Sequence, residues 1–410
     1  MIRFRVLAQW LVLGALVGVV CGIASAIFLL LLDVVTHVRV HDERFVSALP
    51  LAGLVIGLVY ERFGARIKAG NNLIIDTIHD DGPELPLRMA PMVLLGTVSA
   101  HLFGASVGRE GTAVQMGASL ADWISHRLRV GRELRLQLLA AGVAGGFGAV
   151  FGTPIAGTVF GLEFIVLGRL KYDALVPALV AAVVGDLTTR ALGVTHASYP
   201  VVPHVALSLP LLGKWALFAI AVALVTVVFV ELVHFLKKQG EKRVPSLPLR
   251  MFLGGLVVVG LWRLVGSSDY LGLGVPTILR AFEAPALPLS VFALKLVFTA
   301  ICLGAGFPGG EVTPLFFVGA ALGSALAALL GIPIPLGAGV GMAAVFAAAS
   351  NAPLALSIMA VELLGVGIFP HVVIVCVVAY LLTGHRGIYS SQRLVAGKSG
   401  QPVDSPQRLR

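Results

Sequence analysis

Residues 108–112 (GREGT) place one acidic side chain, Glu110, among glycines in a chain that is otherwise apolar. The flanking residues 87–103 and 113–124 are predicted to form membrane helices, so Glu110 lies where the second helix opens. Unpaired backbone N–H groups and the helix dipole favour negative charge at such a helix start, which makes it a ready site for an anion. An ionised glutamate is itself an anion, whereas a protonated one can swing aside. A proton and a free anion would therefore compete for one place.

The glycines beside Glu110 suit an anion site, because Gly108 and Gly111 would let a small ion approach the backbone closely. The alternative is that Glu110 only caps a helix or pairs with Arg109. Acidic side chains at membrane depth are costly and usually functional, which favours the first interpretation.

Two further segments place a polar side chain just before a predicted helix. Glu311 stands in the most glycine-rich passage, residues 304–319 (GAGFPGGEVTPLFFVG), and Pro314 suits the first turn of the helix that follows. Asn71 and Asn72 begin an apolar stretch that is too short to cross a membrane, and asparagine is favoured at a helix cap. Which asparagine turns inward is left open, since helix starts are uncertain by a residue or two.

The composition is that of an integral membrane protein. Of the 410 residues, 58% are hydrophobic and 12% are charged, and the mean hydropathy is +0.95. Soluble proteins have about 25% charged residues. Since a spanning helix needs roughly 20 apolar residues, the length allows many membrane segments but no large soluble domain. The 48 glycines and 22 prolines fit helices that break inside the membrane.

Basic residues give the chain a net charge of +9 and are concentrated between the apolar segments. Residues 126–135, 168–171 and 237–250 are examples, and by the positive-inside tendency these loops face the cytoplasm. The charge therefore indicates a membrane orientation and contact with lipid, and not binding to nucleic acid. The three cysteines stand apart in apolar segments with no metal-ligand spacing, so neither a metal nor a cofactor is expected.

The apolar segments predict an all-α integral membrane protein made of two related halves. Residues 144–163 echo residues 343–362, and Glu163 matches Glu362 at the same offset. Related halves with interrupted hydrophobic segments are typical of secondary transporters whose binding site lies between the repeats. Both glutamates stand at helix ends, where a structural role near the cytoplasmic side is predicted.

The domain organisation follows from the same segments. We predict a first membrane repeat at residues 1–200 and a second at residues 201–396. Residues 397–410 are polar and are predicted to form a disordered cytoplasmic tail.

Four motifs, in the same order along the chain, resemble those of the CLC family of anion channels and anion/proton antiporters. The motifs are GREGT at 108–112, FGTPIAG at 151–157, GEVTP at 310–314 and SNAPLAL at 350–356, followed by GIYS at 387–390. The similarity runs from about residue 10 to residue 395. It implies the CLC-type fold, in which two inverted-topology repeats contribute broken, half-spanning helices that meet at the bilayer midplane.

Three departures are similar to the bacterial fluoride/proton antiporter branch, CLC-F. This chain has GNNLI at 70–74 where chloride carriers have GSGIP, and GEVTP where GIFAP is usual. Phe164 replaces the proton-handling glutamate of chloride exchangers. The resemblance implies that Glu110 is the gating glutamate and that Glu311 takes part in proton movement. It also implies a homodimer with one pathway in each subunit, in the cytoplasmic (inner) membrane of a bacterium, where it would confer fluoride resistance.

The chemistry of fluoride fits these residue types. Fluoride is small and charge-dense, so removing its water is costly unless several hydrogen-bond donors replace it. Side-chain amides, hydroxyls and the backbone N–H groups of helix starts are such donors. The predicted site contains Glu110 and Glu311 for gating and proton coupling, and Asn71, Asn72, Gly108, Gly111, Thr112, Val312, Thr313 and Tyr389 for anion binding.

The sequence therefore predicts a secondary transporter that exports fluoride from the cytoplasm in exchange for protons. In this hypothesis Glu110 alternates between mimicking the anion and carrying the proton. A chloride or other anion/proton antiporter, or a passive anion channel of the same fold, is the alternative. An enzyme is not expected, since the chain has no HExxH or P-loop motif.

Overall fold

A computed structural model of the protein describes residues 4–80, 84–398 and 402–409. The helices of the first half are α1 (Phe4–His41), α2 (Arg44–Ser47), α3 (Leu49–Phe63), α4 (Asn71–Asp80), α5 (Met89–Leu102), α6 (Glu110–Arg127), α7 (Arg132–Phe151), α8 (Pro154–Glu163) and α9 (Leu175–Ala191). Those of the second half are α10 (Leu209–Arg243), α11 (Leu247–Val265), α12 (Val275–Arg280), α13 (Leu289–Ala305), α14 (Val312–Leu330), α15 (Ile334–Ser350), α16 (Pro353–Leu364) and α17 (Phe369–Leu382). Short 3₁₀ turns lie at Ile67–Ala69, Tyr172–Ala174 and Val366–Ile368.

Many helices have the length and composition of membrane segments. Within the described residues, six are long and apolar enough to cross a bilayer: α1, α7, α9 with its preceding turn, α10, α11 and α14. Five shorter apolar helices of 10–17 residues accompany them. Helices α5 and α16, with 14 and 12 residues, fall short of the roughly 20 that a span needs, as is typical of half-spanning pieces. The protein is a multi-pass membrane protein.

Some helices at matched positions in the two halves have similar lengths. The long helices α1 and α10 have 38 and 35 residues, and the short helices α8 and α16 have 10 and 12. Glu163, at the end of α8, accepts backbone hydrogen bonds at the start of α16, while Glu362, at the end of α16, accepts them at the start of α8. The two glutamates therefore lie at opposite ends of this helix pair, whereas the sequence predicts both near the cytoplasmic side. The two helices are antiparallel, and inverted repeats place matched residues at opposite ends.

Glycines let the helices next to the repeat interface pack at backbone distance. A Cβ atom at Gly117 in α6 would meet the carbonyl oxygen of Gly142 in α7. In the second repeat, a Cβ atom at Gly319 in α14 would meet the carbonyl oxygen of Gly341 in α15. Small residues at such crossings allow close van der Waals contact between membrane helices. The two pairs hold α6 and α14, whose first turns form the candidate site.

The C-terminal segment forms a small sheet. Strand β1 (Val166–Leu167) pairs in parallel with β2 (Arg393–Ala396), which pairs antiparallel with β3 (Pro402–Arg408). The sequence predicts a disordered tail over residues 397–410, and the structure differs from this across β3. Strand β3 pairs with β2 and so satisfies the backbone N–H and C=O groups along the edge of β2. The local composition of residues 397–410 does not show that such an edge is available. Residues 399–401 and 410 lie outside the described part of the chain.

Candidate functional site

Two broken helices direct their first turns at each other. The amide of Gly108, just before α6, donates to the carbonyl of Gly310 at 2.5 Å, and the amide of Gly310, just before α14, donates back at 2.7 Å. A Cβ atom at Gly108 would lie 2.9 Å from the Gly310 carbonyl oxygen, so glycine is required for this approach. The positive ends of two helix dipoles therefore converge on one place, which favours negative charge there.

The carboxylate of Glu110 occupies this place. Its side chain is fully buried, with 0% exposure. Oε2 accepts hydrogen bonds from the backbone amides of Arg109 at 3.0 Å and Thr313 at 3.2 Å, and Oε1 accepts one from the Thr313 hydroxyl. The guanidinium Nε of Arg109 lies 3.5 Å from Oε1. Glu110 is the first residue of α6, and its own side chain folds back onto the first turn of α14.

Glu311 lies next to this arrangement, as the residue that precedes α14. Tyr389 and Asn71 line the same cavity as Glu311. The Oε1 atom of Glu311 is buried and has no hydrogen-bond partner among the described residues. Buried polar atoms are nearly always paired, so an acidic group with a spare oxygen is a candidate for binding a proton or a transient donor.

The two asparagines have different positions. Asn71 is 8% exposed, and its side-chain nitrogen would lie 3.5 Å from a Cβ atom at Gly111, so it faces the start of α6. The side-chain oxygen of Asn72 instead accepts a hydrogen bond from the backbone amide of Ser391 at 2.9 Å. The sequence left open which asparagine turns inward. In the structure it is Asn71 that faces the site beside Glu311.

Thr112 and Val312 complete the predicted set. Val312 is the first residue of α14 and is 2% exposed. The Thr112 hydroxyl lies 2.6 Å from that of Thr97 in α5, and both side chains are buried. Sequence reasoning did not single out Thr97. Its signal is a hydroxyl in the middle of an apolar helix, one that needs a partner when buried.

A cavity of about 500 Å³ leads to the site from the side of the basic α10–α11 segment. Its inner end is lined by polar groups of Asn71, Asn72, Thr112, Gln115, Glu311 and Tyr389. Its mouth carries Lys68, His234, Lys237, Lys238, Glu241 and Arg250. Glu110 and Thr313 do not line the cavity, although their neighbours Thr112 and Glu311 do. Gln115, which sequence reasoning also missed, is 9% exposed and faces this water-accessible space.

An aromatic contact closes the site behind Tyr389. The ring of Phe164, which follows α8, meets the Tyr389 ring edge-on with centroids 5.6 Å apart. Phe164 is 0% exposed, and the neighbouring Glu163 is directed at the start of α16 instead. The structure thus brings Asn71, Gly108, Glu110, Gly111, Glu311, Thr313 and Tyr389 together around two helix starts, with Thr112 on the cavity side and Asn72 joined to Ser391.

Comparisons with known proteins identify the family. The sequence pattern of the family described as "Voltage gated chloride channel" matches residues 52–384. The chloride/fluoride channel protein of Pseudomonas syringae pv. tomato is 47% identical over 98% of this chain and 90% of that protein. A crystal structure of a CLC-type fluoride/proton antiporter is similar with a TM-score of 0.92 at 34% identity, covering 96% of this chain and 99% of that one.

A more distant structure shares the fold. The X-ray crystal structure of a slow cyanobacterial chloride/proton antiporter is similar with a TM-score of 0.80 at 20% identity, over 92% of this chain and 94% of that one. The family match covers most of the chain, and the P. syringae relative spans nearly all of it. The chain therefore belongs to the voltage-gated chloride channel (CLC) family and has its fold of two inverted repeats of broken membrane helices.

Proposed function

We infer that the protein is a secondary transporter that exports fluoride from the cytoplasm in exchange for protons. One observation carries this inference: the Glu110 carboxylate accepts hydrogen bonds from the amide and the hydroxyl of Thr313 at the start of α14. These donors are the ones that a free anion would use at a helix start. The chain belongs to a family of anion transporters, and two proteins similar to it are named for fluoride. Both facts support the inference of fluoride transport.

Fluoride suits the donors around this place. Thr313 offers a hydroxyl and an amide, Asn71 offers a side-chain amide and Tyr389 offers a phenol, all within a small buried volume. Fluoride loses strong hydration when it enters and regains it only from several short hydrogen bonds. Chloride is larger and a weaker acceptor, so it gains less from the same set. Selectivity follows from the number and reach of the donors.

Two carboxyl groups supply the proton side of the exchange. When Glu110 is protonated, it loses the charge that holds it on the Thr313 donors, and an anion can replace it. Glu311 stands between this place and the cavity, with one oxygen free to hold a proton. Since Phe164 occupies the position where chloride exchangers have an acid, we assign proton transfer towards the cytoplasm to Glu311.

The transport cycle then has a simple order. Fluoride enters the cavity past Lys68, Lys237 and Lys238, whose charges raise the local anion concentration. It reaches the donors only when Glu110 has taken a proton and moved away from them. Return of the ionised carboxylate expels the anion, so binding of the proton and binding of fluoride are reciprocally linked.

The orientation and assembly follow the same reasoning. The basic ends of α10 and α11 face the cytoplasm by the positive-inside tendency, so the cavity opens inward, in the cytoplasmic membrane of a bacterium. We expect a homodimer with a separate pathway in each subunit. Light scattering of the purified protein, corrected for detergent, gives the subunit number.

Ion flux from proteoliposomes tests the proposed function. Vesicles are loaded with fluoride or chloride, and the external anion and the pH are recorded together. Fluoride efflux that drives proton uptake, with chloride efflux at least tenfold slower, supports the proposal. Equal chloride exchange would instead make the protein a general anion/proton antiporter, and anion efflux without proton movement would make it a passive channel.

A further inference from the structure

A group of polar residues joins α4, which carries Asn71, to the segment that carries Tyr389 and to the last strand. The group consists of Asn72, Asp76, Ser391 and Arg408, and we call it the C-terminal clamp. Its contacts connect residues more than 300 positions apart in sequence. The clamp therefore sets how two distant parts of the site meet.

Two side chains of α4 converge on one serine. Asn72 and Asp76 are four residues apart, so they lie on the same face of the helix. The Asn72 side-chain oxygen accepts from the Ser391 amide at 2.9 Å, and Oδ2 of Asp76 accepts from the Ser391 hydroxyl at 3.0 Å. Ser391 is two residues after Tyr389, and Asn72 directly follows Asn71. These contacts thus control the separation of Asn71 and Tyr389, which line the same cavity as Glu311.

The last strand completes the clamp from the other side. Nη2 of Arg408, at the end of β3, donates to Oδ1 of Asp76 at 2.8 Å. Each oxygen of the Asp76 carboxylate is therefore engaged by a different segment. A partly exposed ion pair contributes little stability by itself. Its effect is to hold the Asp76 side chain in the position that accepts from Ser391.

The Tyr389 segment has anchors of its own. The side-chain amide of Gln392 donates to the carbonyls of Phe164 at 2.7 Å and Ser350 at 2.8 Å, and the Ile388 amide donates to the Ala349 carbonyl at 2.9 Å. Tyr389 is thus fixed against the ends of α8 and α15. The clamp therefore positions the first turn of α4 against the Tyr389 segment, which these other contacts already hold in place.

We propose that Asp76 is a positioning residue for transport. Through Ser391, and supported by Arg408, it holds Asn71 beside Tyr389 so that both side chains engage Glu311. This inference rests on the proposed function, because it gives the clamp a role in coupling protons to fluoride. When the clamp opens, Asn71 withdraws from Glu311. Fluoride then loses a donor, and the acid loses a partner that fixes its position.

Flux measurements on the full chain test this role. Asp76→Ala is expected to raise the apparent KM for fluoride at least threefold and to lower the number of protons moved per fluoride at least twofold. Asp269→Ala is the matched control, because Asp269 is also in an exposed ion pair, at 2.6 Å from Arg280, with side-chain exposure of 43% against 31% for Asp76. An unchanged KM and ratio in Asp76→Ala, or the same change in the control, overturns the proposal.

The contribution of the last strand is tested through Arg408. Arg408→Gln is expected to shift the KM and the proton ratio in the same direction as Asp76→Ala but less, and Arg408→Lys to restore the wild-type values. If Arg408 acts through Asp76, the double variant Asp76→Ala/Arg408→Gln behaves as Asp76→Ala alone. Additive effects in the double variant would contradict a single clamp.

Hydrogen exchange separates the clamp from the proposed function. In Asp76→Ala, amide exchange is expected to rise in residues 70–79 and to stay unchanged in residues 384–390, which have other anchors. A rise confined to residues 402–409 would refute the positioning role. If the wild-type protein moves fluoride without protons, the proposed function fails, and the exchange pattern still decides whether the clamp positions Asn71.

Discussion

Glu163 and Glu362 each cap the first turn of the other's helix across the interface between the two repeats. The oxygens of Glu163 accept from the backbone amides of Leu354 at 3.1 Å and Ala355 at 2.8 Å, at the start of α16. Glu362 makes the matching contacts at the start of α8, at 3.0 and 2.8 Å. A carboxylate at a helix start satisfies unpaired amides and complements the helix dipole. The pair thus fixes α8 against α16, antiparallel and in register.

Neutralising the two caps is predicted to have unequal effects on stability. Glu163 is 8% exposed, whereas Glu362 is exposed, so water compensates only for the second. We expect Glu163→Gln to lower the free energy of unfolding by about 1–2 kcal/mol and Glu362→Gln by less. Thermal unfolding in detergent measures this, with Glu133→Gln in the exposed first turn of α7 as the control. Equal shifts in all three variants would count against the capping role.

Gly108 is predicted to be essential for coupling because its missing side chain leaves room for Glu110. A Cβ atom there would lie 2.8 Å from Oε2 of Glu110 and 2.9 Å from the Gly310 carbonyl oxygen. The carboxylate is the more mobile neighbour, so Gly108→Ala should displace it from the Thr313 donors and lower the protons moved per fluoride at least twofold. Gly213→Ala in α10, where no atom lies within 4 Å of the added group, should leave the ratio unchanged. Wild-type coupling in Gly108→Ala would contradict this packing argument.

We predict that substitutions of the paired hydroxyls of Thr97 and Thr112 have non-additive effects on stability. Removing one hydroxyl leaves the other buried without its partner at 2.6 Å, which costs about 1–3 kcal/mol. Thr97→Val should therefore lower stability more than Thr97→Ser. The double variant Thr97→Val/Thr112→Val should recover part of that loss while fluoride transport stays impaired, since Thr112 lines the cavity. Thermal unfolding and fluoride efflux, measured on the same preparations, distinguish this from two independent effects.

We predict that the lysines at the cavity mouth make the apparent KM for fluoride depend on salt. Lys237 and Lys238 are exposed at the end of α10, so their charges act on fluoride through solvent. Replacing both by glutamine should raise the apparent KM for fluoride severalfold at about 20 mM salt, and the difference should vanish near about 0.5 M, where screening is nearly complete. Replacing both by arginine should preserve the KM. A rise that persists at high salt would indicate a structural defect instead.

Local sequence patterns predicted much of the site because its chemistry is conspicuous in an apolar chain. Glu110 and Glu311 are acids among glycines at helix starts, and both lie where the two broken helices converge. Long-range partners were not predictable in the same way. The contacts of Ser391 with Asn72 and Asp76 span 319 and 315 positions, and nothing near these residues indicates which surfaces meet.

Two further differences between the sequence predictions and the structure also arise from contacts between distant parts of the chain. Strand β3 is polar and has little local strand signal, and it forms because β2 offers an edge with which it can pair. The matched glutamates were expected on one side because their sequence context is the same. Inversion of the second repeat carries one of them to the other side. A repeat in sequence does not show whether its copies are parallel or inverted.

The central claim is that one carboxyl group, that of Glu110, exchanges a proton and yields its place to fluoride. Glu110→Gln tests it most directly, because the amide has the size of the protonated acid and cannot release a proton. In proteoliposomes with an imposed pH gradient, the variant is predicted to move fluoride only down its own gradient and to move no protons with it. Accumulation of fluoride against its gradient, driven by protons in Glu110→Gln, would contradict the account.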